Sequence, residues 1–273
     1  MTGKPLNFVQ ITDMHLSHPD LDDPDKRSDT VANLQLAIAR ITELSPRPEF
    51  VIASGDLVNL GDVASYQLVK EMLEKLNLPI LYALGNHDKR AEFRQVFLKE
   101  PNNDAPYFHR VAYGNLQIVT LDTSQPTRVS GGLCNAQFEC LEQALRENPK
   151  QPTLLVFHHP PLIEEDTFAW ESLNQKDSDR LAATLQGHSL VGMICGHIHR
   201  DRICNWHGIP ILFSCGLYAS FDVLRGPDML VDEGIGITFC TYRNSGLSAT
   251  FIPLLPKRKS LGEITQERLK SFD

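Results

Sequence analysis

The stretch Leu6-Asn7-Phe8-Val9-Gln10-Ile11-Thr12-Asp13-Met14-His15 runs from an apolar, strand-like segment directly into two side chains able to bind a metal. The same design recurs along the chain. Residues 50–53 lead into Gly55-Asp56, and 80–83 into Gly85-Asn86-His87-Asp88. Residues 153–157 lead into His158-His159-Pro160-Pro161, and 191–195 into Gly196-His197-Ile198-His199. Segments 116–121 and 209–213 complete the strand candidates. All are short and rich in Val, Ile, Leu and Phe, the composition of strands covered on both faces.

Amphipathic stretches separate these segments. Residues 29–44 place Val31, Leu34, Ile38 and Ile41 at helical spacing, after Ser28 or Asp29 as N-cap. Residues 63–76 repeat the pattern with Tyr66, Val69, Leu73 and Leu76, and 136–145 with Phe138, Leu141 and Leu145. Strand and helix in alternation imply an α/β layered fold. The tail differs: 234–242 and 247–254 flank Asn244-Ser245-Gly246 as a β-hairpin, and 264–272 suit a terminal helix. With no internal repeat or long linker, one domain over 1–273 is expected, its C-terminal hairpin and tail at about 234–273.

Composition narrows the class. Of 273 residues, 42% are hydrophobic and 22% charged, so disorder is excluded. The net charge of −8 and a single basic cluster, Lys257-Arg258-Lys259, argue against a nucleic-acid polymer as partner. No apolar run is long enough to span a bilayer and no export signal opens the chain, so no membrane contact and a cytoplasmic location are expected. The six cysteines form no C-x-x-C pair and are expected as free thiols, Cys195 and Cys215 acting as small buried hydrophobes.

Each motif has an ordinary explanation when taken singly. An Asp after a strand caps a helix, a Gly-Asp pair makes a turn, and a His pair is usually structural or solvated. Five successive strand ends of this kind are too many for coincidence. In α/β sheets, the loops at the carboxyl ends of strands form the ligand crevice, so the side chains should converge. The donors are carboxylate, amide oxygen and imidazole without thiolate, a set suited to Mn, Fe, Zn or Co. Asp13 and His15 lie two apart, as do His197 and His199, so each pair can share a face and grip one ion. The donors outnumber those of a tetrahedral site, whereas two ions ~3.5–4 Å apart, bridged by a carboxylate, accommodate them.

In this order, Asp-x-His, Gly-Asp, Gly-Asn-His-Asp, His-His-Pro and Gly-His-x-His resemble the calcineurin-like metallophosphoesterase superfamily. The nearest likeness is to bacterial class III cyclic-nucleotide phosphodiesterases and glycerophosphodiesterases. It is carried by Gln10-Ile11-Thr12-Asp13-Met14-His15, His158-His159-Pro160-Pro161 and Gly196-His197-Ile198-His199-Arg200. The resemblance implies an α/β/β/α sandwich with a two-metal site at the strand ends. It puts Asp13, His15 and His199 on one ion and Asn86, His158 and His197 on the other, with Asp56 bridging. His159 falls outside the ligand set as a packed or supporting residue. His87 is the catalytic residue beside the substrate phosphate, and Asp88 orients a neighbouring histidine.

The activity implied is hydrolysis of small phosphodiesters, such as 3′,5′-cyclic AMP or glycerophosphodiesters, by a metal-activated hydroxide. Phosphomonoester hydrolysis is the alternative. The related enzymes also imply a dimer or larger homo-oligomer. Every ligand position is filled, which argues against a non-catalytic scaffold. Charge balance favours diesters: two divalent ions less two carboxylates and a hydroxide leave one positive charge, which a diester monoanion neutralises. One departure concerns Cys215-Gly216-Leu217-Tyr218-Ala219-Ser220, which lacks a histidine that some relatives carry there. Tyr218 or Phe221 can stack on a base or pack in the core, 221–233 can cover the site or meet a second copy, and His207 reads as a turn residue.

Overall fold

The computed structural model describes residues 4–101, 103–164, 168–224 and 229–255. The chain begins with β1 (Leu6–Ile11), α1 (Thr30–Thr42), β2 (Phe50–Ser54), α2 (Val63–Glu74) and β3 (Ile80–Ala83). Asp29 and Asp62 cap the two helices, each side chain accepting an N–H three residues on. A short α3 (Arg90–Phe93) passes into one π-helical turn before the hairpin of β4 (His109–Tyr113) and β5 (Leu116–Thr120). Then come α4 (Asn135–Glu147), β6 (Thr153–Val156), α5 (Gln175–Leu185), β7 (Leu190–Cys195), β8 (Arg202–Trp206) and β9 (Ile209–Phe213). A small hairpin, β10 (Ser220–Asp222) with β11 (Leu230–Asp232), precedes the long pair β12 (Gly236–Arg243) and β13 (Gly246–Pro253).

These strands make two large sheets. The first has the order β13-β12-β1-β2-β3, in which β1, β2 and β3 are parallel and β12 runs antiparallel to β1. The second has the order β4-β5-β6-β7-β9-β8, with β5, β6, β7 and β9 parallel between antiparallel edges. Alternation along each strand explains the layering. Phe8 joins Phe50, Ile52, Ile118, Leu154, Val156 and Ile194 in a core between the sheets. Val9 and Ile11 point the other way, where they pack with Leu34 and Ile41 of α1 and Tyr66 and Val69 of α2. On the far side, Val119, Leu155 and Met193 meet Phe138 and Leu141 of α4 and Leu181 and Leu185 of α5. The architecture is the expected α/β/β/α.

All seven expected strands are present, as are the three expected helices and the C-terminal hairpin. Two edge strands, β4 and β8, and helix α5 were not foreseen. The edge strands carry Arg, His and Asn among half-buried positions, so neither reads as an apolar run. Helix α5 buries only Ser178, Leu181 and Leu185, and apart from two alanines the rest of its sequence is polar. The helix expected at 264–272 and the cluster Lys257-Arg258-Lys259 lie outside the described residues, as do Arg225 and Asp228.

One polar side chain crosses the core between the sheets. Gln10 Nε2, on β1, donates to Ser54 Oγ at 2.9 Å and to the carbonyl of Cys195 on β7 at 2.8 Å. It ties the carboxyl ends of the two sheets together immediately beneath the predicted site.

Candidate metal centre

The loops that follow β1, β2, β3, β6 and β7 meet at one edge of the sandwich and bring the predicted residues together. Asp13 receives the backbone N–H of His197 on both carboxylate oxygens at 3.1 Å, which joins the first sheet to the second. His158 returns the link, its Nδ1–H donating to the carbonyl of Ser54 at 2.9 Å. The close approach needs glycine at two positions. At Gly55 (φ 104°) a Cβ would overlap the His158 ring, and at Gly196 it would overlap Thr12 Oγ1.

Backbone strain is concentrated here. Asp13, His15, Asp56, His197 and His199 all hold positive φ, between 41° and 75°. Non-glycine residues seldom adopt this region, and holding one there costs of order 1–3 kcal/mol. The left-handed turns place Asp13 and His15 together, with His15 Nε2 4.0 Å from Asp13 Oδ1. His197 and His199 diverge, contrary to the expectation from their spacing. The His199 ring lies near His15, with centroids 5.1 Å apart, whereas His197 packs on His158 and His159 at 5.1 and 4.4 Å. Strand alternation does not apply to left-handed turns, so a spacing of two does not mean a shared face.

Hydrogen bonds fix which nitrogen of each ring is free. The Nδ1–H of His199 donates to Ala219 O at 2.9 Å, and that of His15 to Asn59 Oδ1 at 3.0 Å. With His158 held in the same way, three Nε2 atoms face inward. His15 Nε2 and His199 Nε2 are only 3.3 Å apart, and His158 Nε2 is fully buried against the Asp56 carboxylate. Asp56 Oδ2 stands 3.1 Å from His158 Nε2 and 3.5 Å from His15 Nε2. Lone pairs and carboxylates so arranged repel one another unless cations lie between them, so the donor set fits metal ions. His197 differs: its Nε2–H donates to Trp170 O at 2.7 Å, leaving Nδ1 free.

His159 has no lone pair to spare. Its Nε2–H donates to Val129 O at 3.0 Å and approaches Asn86 Oδ1 at 3.2 Å, while Thr123 Oγ1 sits 2.8 Å from Nδ1. This bonding occupies both ring nitrogens and sets His159 against the Asn86 side chain, although its ring also clusters with those of His158 and His197. Asp88 does not orient a histidine, contrary to expectation. It accepts the N–H groups of Leu57 (3.2 Å) and Gly85 (2.9 Å) and the hydroxyl of Tyr66 (2.9 Å), buckling the loops after β2 and β3 to α2. Burial, together with the Asp56 charge, raises its carboxyl to about 7.

Asn59 was missed by sequence reasoning. Its side chain accepts from His15, donates to Asp23 Oδ2 at 2.8 Å, and its backbone carbonyl accepts His87 Nδ1–H at 3.0 Å. It therefore orients two rings of the site at once. The only available signal was its position three residues after Asp56. His87 also donates its backbone N–H to Asp56 Oδ1 at 2.9 Å, and its ring meets that of His15 edge-on at 4.5 Å. Of the aromatic candidates, Phe221 stacks flat on His199 at 4.2 Å, and Tyr218 is buried with its hydroxyl donating to Asp25 O. His207 occupies the turn between β8 and β9.

A family model described as calcineurin-like phosphoesterase matches residues 6–201, and the chain belongs to that family. It is a hydrolase of that metal-dependent class. A Rhodopseudomonas palustris protein named "Probable cyclic nucleotide phosphodiesterase" is 34% identical over 209 residues, 72% of this chain and 74% of its own length. An Arcobacter nitrofigilis protein named "Probable glycerophosphodiester phosphodiesterase" is 32% identical over 181 residues, 64% of this chain and 65% of its own. Among solved structures, a dimetal phosphatase from Danio rerio superposes with a TM-score of 0.68 over 92% of this chain and 96% of its own, at 14% identity. At that identity the likeness is one of fold. Among the described residues, no helix is long and apolar enough to cross a membrane.

The unequal environments of the histidines are open to measurement in protein stripped of metal. Burial opposes charge on His158, but Asp56 and Asp13 outweigh it and raise this ring to about 9. Burial lowers His15 and His197 to about 4. NMR titration of the chelated protein is expected to show His158 protonated at neutral pH and losing its proton near pH 9. His15 and His197 should stay neutral until the pH falls to about 4. A His158 ring titrating below pH 7 would contradict the electrostatics described above.

Proposed function

We propose that this chain hydrolyses small phosphodiesters at a two-metal centre. Asp13, His15 and His199 would hold one ion, and Asn86, His158 and His197 the other, with Asp56 shared. The observation that carries this reading is the position of the Asp56 carboxylate, within 3.5 Å of His15 and 3.1 Å of His158, between the two groups. The names of the relatives support the diester, and phosphomonoester hydrolysis remains the alternative outcome of the tests below.

Two bound ions would supply Lewis acidity, neutralising the phosphate oxygens and making water nucleophilic near neutral pH. The chain's own residues do the rest. His87 Nδ1–H is committed to Asn59 O, so a proton taken up by the ring sits on Nε2, from which it would pass to the departing oxygen and leave the ring neutral. The backbone N–H of His87 on Asp56 keeps that ring beside the shared carboxylate. His159 steadies the Asn86 carbonyl, and Asp88 holds the loop carrying both Asn86 and His87. Two divalent ions, less the charges of Asp13, Asp56 and a hydroxide, would leave one positive charge, which a monoanionic diester balances better than a dianionic monoester.

Three measurements test these assignments. Asp56→Ala should leave a folded protein in which metal analysis finds lower occupancy at both positions, whereas full occupancy would remove Asp56 from the shared role. His87→Ala should retain metal and lose about 10²–10⁴-fold in kcat, most with poor leaving groups. An equal loss with nitrophenolate and alkoxide leaving groups would assign His87 to charge stabilisation instead. With Mn²⁺ restored, kcat/KM for bis(p-nitrophenyl) phosphate should exceed that for p-nitrophenyl phosphate, with 3′,5′-cyclic AMP also turned over. A clear preference for the monoester would overturn the diesterase reading.

A further inference from the structure

The proposed metal residues form a polar floor, so recognition of a substrate's organic part falls to the rim. On the His199 side, aromatic surface is already in use: Phe221 covers the His199 ring and the Tyr218 hydroxyl is bonded to Asp25 O. On the His197 side it is not. Trp170 lies in a single 3₁₀ turn, Ala169–Glu171, with its ring centroid 5.6 Å from that of His197 at 71°. The indole is half-buried, and Phe168 beside it is 70% exposed.

This turn is anchored on three sides. Glu171 pairs with Arg200 at 3.2 Å, next to His199. Leu173 N–H donates to Pro160 O at 2.8 Å, behind the His158-His159 pair, and Gly131 N–H donates to Ser172 O at 3.1 Å. The Trp170 carbonyl accepts His197 Nε2–H at 2.7 Å. The Trp170 turn is thus fixed against a proposed metal residue, with the exposed Phe168 two residues before it in the chain.

We propose that Trp170, with Phe168 beside it, is the wall on which the planar ester group of the substrate packs, so that it selects aromatic phosphodiesters over aliphatic ones. The proposal rests on the phosphodiesterase reading for the identity of the reaction, but the wall itself can be tested without turnover. An aromatic ring offers a π-face and apolar area to a base or nitrophenyl group and much less to a glycerol. Support of His197 comes from the Trp170 backbone carbonyl, which a side-chain substitution leaves in place. The two roles are therefore separable.

In the Mn²⁺-restored full chain, Trp170→Ala should raise KM for bis(p-nitrophenyl) phosphate and 3′,5′-cyclic AMP about tenfold, with kcat within about twofold. Trp170→Phe should recover most of the loss, and glycerophosphocholine should lose under about threefold in kcat/KM. In parallel, adenosine 5′-monophosphate should quench tryptophan fluorescence in the wild type and not in Trp170→Phe, while glycerol 3-phosphate quenches neither. Absence of all diester turnover in the wild type would reject the phosphodiesterase reading and leave the fluorescence to decide on the wall. Equal losses on aromatic and aliphatic diesters, an unchanged KM, or quenching by both phosphates alike would overturn the proposal.

Discussion

Three hydrogen bonds between the carboxyl ends of the two sheets underlie everything else in the site. Gln10 reaches Cys195 O, the Asp13 carboxylate takes the N–H of His197, and His158 donates to Ser54 O. Each begins in one sheet and ends in the other. The apolar core between the sheets presses them together without specifying how they align, because hydrophobic burial is non-directional. The directional bonds specify the alignment at the end where four of the proposed donors arrive from the first sheet and three from the second.

The second constraint is the limited bonding capacity of imidazole. A neutral ring has one N–H and one lone pair, so a carbonyl accepting from one nitrogen leaves the other as the atom open to a cation or a hydrogen-bond donor. His158 and His199 are committed by backbone carbonyls and His15 by an amide oxygen. His159, adjacent in sequence to His158, has partners at both nitrogens. Two neighbouring histidines are thereby bonded differently by the fold around them.

Much of this was legible in the sequence, for identifiable reasons. Strands covered on both faces appear as uninterrupted Val, Ile, Leu and Phe, so their ends, and the polar residues just beyond them, could be located. The edge strands β4 and β8 are half-covered and carry polar residues. Their two-residue turns, Gly114-Asn115 and His207-Gly208, were the available signals. Asn59 and Trp170 were not legible as parts of the site, because both act on rings that reach them from distant loops. Asp88 shows the limit of analogy: a carboxylate following a histidine looks like its partner, yet the fold turns it towards backbone N–H groups and Tyr66.

The placement of β12 has a consequence for the order in which the protein can assemble during synthesis. This strand pairs with β1, which precedes every other described strand in the chain. β1 therefore leaves the ribosome with one edge unpaired, and that edge waits until residues 236–243 emerge. The donors follow a similar schedule, since Asp13 comes early and His199 late. At a centre built as proposed, the residues that emerge first would not surround an ion by themselves, so capture of metal would belong to the closing stage of folding.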